Sequence, residues 1–79
     1  MTEDQKAISL ILDVLNASRQ VPRTLDYIQT EVRLAGRRVE VPAILETMVD
    51  SGFVETGRDA MKIRRYTITA DGRAALADL

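Results

Sequence analysis

The sequence predicts a mainly α single domain, residues 1–79, that carries one β-hairpin, in the order α-α-α-β-β-α. Three observations predict it. Apolar residues recur at helical spacing in three stretches before residue 52. Gly36, Pro42 and Gly52 stand where helices stop or start. Two stretches after that, "GFVET" and "MKIRRYTIT", read as strands joined by the turn-like "GRDA".

The first helix opens at Thr2, with Gln5 three residues on as the reciprocal partner of a capping box, and runs to about Ser18. Ile8, Ile11, Leu12 and Leu15 form one apolar stripe. Ala7, Leu10 and Val14 form a second beside it, so more than half the helix is apolar, wider than a surface helix needs. Two readings are open: a central helix wrapped by its own chain, or a second stripe that packs against another chain.

"SRQVPR" interrupts the pattern, because Pro22 disfavours helix at Val21. Thr24 caps the second helix, with Asp26 in its first turn. Leu25, Ile28, Val32 and Ala35 fall on its inward face, and Gly36 ends it in a left-handed conformation. The third helix spans about Glu40 to Ser51 and tolerates Pro42 in its first turn. Val41, Ile44, Leu45 and Met48 point inward. Glu40, Ala43, Glu46, Thr47 and Asp50 are left outside. In the hairpin, Tyr66 and Ile68 share a face, and Phe53 and Val54 supply the partner strand. Thr69 caps a short last helix with Ala74, Ala75, Leu76 and Leu79.

Composition narrows the function. The chain has no cysteine and no histidine, hence no disulfide, no thiolate metal site and no Cys/His nucleophile–base pair. There is no glycine-rich phosphate loop and no carboxylate cluster at ligand spacing. These absences predict a protein that is not an enzyme and has no metal or cofactor. The N-terminus "MTEDQK" does not read as a signal peptide, and the longest apolar run, Leu10 to Leu12, is far too short to span a membrane. A cytoplasmic protein with no membrane partner is expected.

Charge is patterned although the net is only −1. From Arg19 to Arg38 there are five arginines against two acids, and from Arg58 to Arg65 four bases against one acid. The first helix and the outer face of the third are acidic.

Three helices followed by a hairpin is the order of a winged helix, in which the second and third helices form a helix-turn-helix and the hairpin is the wing. Two segments sharpen this. In "ILETMVDSGFVE", Met48 is followed four positions later by Gly52 and then by Phe53 and Val54. In "RRYTITADGRAAL", Tyr66, Ile68, Thr69 and Gly72 hold an aromatic–apolar–cap–glycine spacing. Over residues 3 to 78 the chain resembles the winged helix-turn-helix transcriptional regulators of the MarR and PadR-like families.

That resemblance implies a transcription regulator that binds double-stranded DNA, with the third helix in the major groove and the wing along the backbone. Arg37, Arg38, Arg58, Lys62, Arg64 and Arg65 are then the candidates for phosphates or the minor groove, and Ala43 and Thr47 for base contacts. A homodimer through Ala7, Leu10 and Val14 of the first helix would fit a two-fold site. The third helix departs from the family in lacking any lysine or arginine. The alternative is therefore a winged helix used as a protein-interaction module or accessory subunit, because carboxylates near phosphates oppose binding.

Overall fold

A computed structural model describes residues 2–78. Thr2 opens α1 (Glu3–Ala17), and its hydroxyl and the Gln5 side chain exchange hydrogen bonds with each other's backbone amides at 3.1 and 2.9 Å. A short strand β1 (Arg23–Thr24) follows, then α2 (Leu25–Leu34), α3 (Val41–Asp50), the hairpin β2 (Val54–Arg58) and β3 (Arg64–Ile68), and α4 (Ala70–Asp78). The described residues form a mixed α/β fold: four helices with a three-stranded antiparallel sheet in the order β1-β3-β2.

β1 corrects the expected order. Two residues are too few for an alternating pattern, and Thr24 also serves as the α2 cap, accepting from the Tyr27 amide at 3.2 Å. Arg23 and Thr24 pair with Tyr66 and Arg65, which makes β3 the central strand.

α2 and α3 end in the same way. At Gly36 and Gly52, each with φ of +80°, the chain turns left-handed, where residues with a Cβ are strained. The next amide reaches back to close the helix: Arg37 N–H to the Val32 carbonyl at 3.2 Å, and Phe53 N–H to the Met48 carbonyl at 2.9 Å.

The core gathers Ile11, Leu12 and Leu15 of α1, Ile28 and Val32 of α2, and Leu45 and Met48 of α3, closed by Val54, Tyr66 and Ile68 of the sheet. Val54 lies opposite Ile68 in register, so the base of the hairpin buries one face against the helices while its outer part is exposed. Ala7 is fully buried in this core, whereas Ile8 and Leu10 only pack against it. The inward face of α1 is thus centred on Ala7, Ile11 and Leu15, rotated from the expected stripe. Ala35 is exposed, because the helix has already reached its cap there. Ala75 and Leu76 of α4 are half-buried, Ala74 is exposed, and Leu79 lies outside the described residues.

Candidate nucleic-acid interface

The outer face of α3 carries Glu40, Ala43, Glu46, Thr47 and Asp50, all exposed. The helix starts without a side-chain cap and holds Pro42 in its first turn. The Thr47 hydroxyl donates to the Ala43 carbonyl at 3.2 Å, so its proton is spent within the helix. Its oxygen can still accept, and its methyl can make apolar contact.

Grooves border this face. On one side, α1 and the segment before α3 form a groove of about 420 Å³ with a floor of Ile8, Val39 and Ile44. Arg38, Ala43 and Thr47 line it, as do Glu3, Asp4 and Glu40. On the other side, Glu46, Asp50, Thr56, Arg64 and Tyr66 line a groove between α3 and the hairpin. An exposed arginine therefore stands on each flank of the helix: Arg38 before it and Arg64 across from it.

The hairpin sorts its basic residues by strand parity. Arg58 pairs directly with Arg64, on the same sheet face as the Thr56–Tyr66 and Val54–Ile68 pairs. Like charges directly opposite each other on a sheet are unfavourable without an anion between them. Arg65 pairs with Gly57 and points to the other face, where it lines a groove with Pro22, Asp59 and Thr67 that the Arg58 side chain also borders. Its Nε donates to Asp59 Oδ2 at 2.7 Å, and an Nη reaches the Pro22 carbonyl at 3.5 Å. Arg65 thus braces the turn and lies off the α3 side.

The turn itself spans Asp59 to Ile63, further along the chain than "GRDA" suggests, because the Asp59 carboxylate organises it. Asp59 Oδ1 accepts from the Met61 and Ile63 amides at 2.8 and 3.1 Å. The Arg58 guanidinium closes the turn on the Lys62 carbonyl at 2.9 Å, with Lys62 at φ +63°. The Arg65 hydrogen bond, then the Ile63 amide, hold the Asp59 carboxyl below its ordinary pKa. Met61 (79% exposed) and Lys62 project at the tip, with Ile63 (43%) beside them.

Arg37 forms an ion pair with Glu3 at 3.2 Å and is half-buried, so α1 already claims part of its charge. It lines a further groove with Arg38 and Arg33. Arg33 belongs to this basic group but is absent from the sequence-based candidates. Its spacing of four from Arg37, across a helix end, was the available signal.

Of the expected dimer stripe, Ala7 cannot reach a partner because the chain's own core encloses it completely. Leu10 and Val14 are half-buried on the flank of α1. Among the described residues there is no cluster of potential metal ligands, and no helix is long and apolar enough to cross a membrane. Comparison with protein-family models, with curated proteins and with solved structures returns no match, so the residues of this chain alone carry the functional reading.

Proposed function

We propose that this chain is a winged-helix DNA-binding protein of the transcription-regulator type. α3 enters the major groove, and β2–β3 is the wing. The carrying observation is the placing of exposed arginines on both flanks of α3, Arg64 across from it on the hairpin and Arg38 on its far side, with Arg58 opposite Arg64 in register. A helix seated in the major groove has a phosphate strand on either side, and an exposed arginine on each flank suits that geometry. Ala43 and Thr47 then face bases. Glu46 is tolerated where it accepts from a cytosine amino group. Arg37 and Lys62 contribute secondary phosphate contacts, and Arg65 acts through the turn it holds. The protein is non-catalytic and acts in the cytoplasm. With Ala7 in the core, dimerisation through α1 would rest on Leu10 and Val14 alone.

The test is a backbone amide titration by NMR with random-sequence duplex DNA at low and then moderate salt. Shifts at Arg38, Thr47, Arg58 and Arg64 that weaken with salt are expected. No shifts even at low salt would overturn the reading.

A second reading is a winged helix that binds protein. It is favoured by the three exposed carboxylates of Glu40, Glu46 and Asp50 on the helix that would otherwise face phosphates.

A further inference from the structure

The α1–α3 groove and the hairpin tip are complementary in shape class and in charge. The groove is concave, with an apolar floor of Ile8, Val39 and Ile44. Glu3, Asp4 and Glu40 line it against the single arginine Arg38. With Glu3 paired to Arg37, the carboxylates of Asp4 and Glu40 remain for a cationic partner. The tip is convex and reads apolar–basic–apolar–basic from Met61 through Lys62 and Ile63 to Arg64. Hydrogen bonds within Asp59–Ile63 and to Arg58 and Arg65 fix its backbone. An ordered turn that keeps a methionine 79% exposed presents an apolar contact at small backbone entropic cost on binding.

We infer that the hairpin tip of one copy docks in the α1–α3 groove of a second copy. Met61 and Ile63 cover the apolar floor, and Lys62 and Arg64 meet the carboxylates of Asp4 and Glu40. The two surfaces differ, so the contact is heterologous and propagates head to tail unless it closes. The groove is small, so the contact is weak and transient. Charge pairing at its rim makes it sensitive to salt. The inference does not rest on DNA binding, and it predicts competition with DNA, since Arg38, Ala43, Thr47 and Arg64 serve both surfaces.

Sedimentation velocity of the full chain without DNA tests it, between about 20 µM and about 1 mM, the range in which a weak contact fills. The wild type should show a rising weight-average sedimentation coefficient, reduced by salt. Met61→Glu, which spoils the tip, and Ala43→Lys, which spoils the groove, should each stay monomeric alone. Both positions are exposed, so both variants should fold. Mixed, they should form a one-to-one pair, because one copy keeps its groove and the other its tip. In that mixture, labelled Met61→Glu protein should show shifts at Val39, Glu40 and Thr47. A wild type that stays monomeric at every concentration would overturn the inference. So would a mixture as monomeric as its components, or shifts confined to Leu10 and Val14.

Discussion

The Thr69 hydroxyl donates to the Gly52 carbonyl at 2.6 Å and accepts from the Gly72 amide at 2.9 Å. One side chain thus caps α4 and ties it to the end of α3, seventeen positions earlier in the chain. The Thr69 amide adds a bond to the Phe53 carbonyl at 3.1 Å. The two segments most telling in the sequence therefore meet in one joint.

Thr69→Val should remove both side-chain bonds while keeping the shape of the residue. A loss of about 1–2 kcal/mol is expected, which lowers Tm by roughly 4–15 °C in a domain of this size. Thr69→Ser should retain most of the stability. Thermal unfolding followed by circular dichroism measures both, and equal losses would mean that the hydroxyl is not what holds the joint.

Gly72 sits where α4 crosses the Phe53 backbone. A Cβ there would run into the Phe53 carbonyl oxygen and lie 2.8 Å from Ile68 Cγ1. The carbonyl belongs to backbone already fixed by Thr69, so it has little room to yield. Gly72→Ala should destabilise by about 1–3 kcal/mol, against a helix-propensity gain of about 1. Gly57→Ala, with nothing within 4 Å of its Cβ, should stay within about 0.5 kcal/mol of wild type. Urea unfolding of the pair separates steric clash from a general cost of losing glycine.

Asp59 sets the pH response of the hairpin tip. Its folded pKa lies below the unfolded value, chiefly through the Arg65 hydrogen bond. Its contribution to stability is therefore fully present above the unfolded carboxylate pKa and is lost as pH falls through the folded one. The Met61 and Ile63 amide shifts should titrate together below the ordinary carboxylate range, and Asp59→Ala should abolish that transition. A midpoint at or above the ordinary value would mean that Arg65 does not hold the carboxylate in solution.

The helices are legible in the sequence because each carries its own punctuation. The Thr2–Gln5 box, the Thr24 cap and the left-handed Gly36 are local signals, and all form as the sequence predicts. The spacing of Met48, Gly52 and Phe53 is a helix stop, and that of Thr69 and Gly72 a helix start. Both specify the joint between α3, the hairpin and α4, so they inform on the fold and are silent on what it binds. β1 is illegible because its pairing depends on β3, more than forty residues away. The hairpin turn escapes the sequence pattern because Asp59, followed by no glycine, organises it through its side chain. Ala7 falls on the outer stripe of the pattern because a small residue gives little weight to one face of a helix apolar over so much of its surface. For the basic residues, sequence counts charge but cannot show which are already engaged. Arg65 and Arg37 have carboxylate partners from Asp59 and Glu3. Arg58 donates to the Lys62 carbonyl, which leaves its charge uncompensated, and Arg64 lies opposite Arg58 in register.

That partition makes the last prediction. If the hairpin is a wing on DNA, Arg58→Gln and Arg64→Gln should each lower the slope of log Kobs against log salt by about one, uniformly across duplex sequences. Arg65→Gln should change the slope much less, because its charge is already paired with the Asp59 carboxylate on the opposite sheet face. Its effect should appear instead as loosened Met61 and Ile63 amides. Glu3→Gln should strengthen binding slightly by releasing Arg37. Fluorescence anisotropy with a labelled random duplex at several salt concentrations measures all four variants. Equal slope changes for Arg64 and Arg65 would mean that the hairpin acts as a diffuse cationic arm and that the sheet face beside α3 has no special part in the contact.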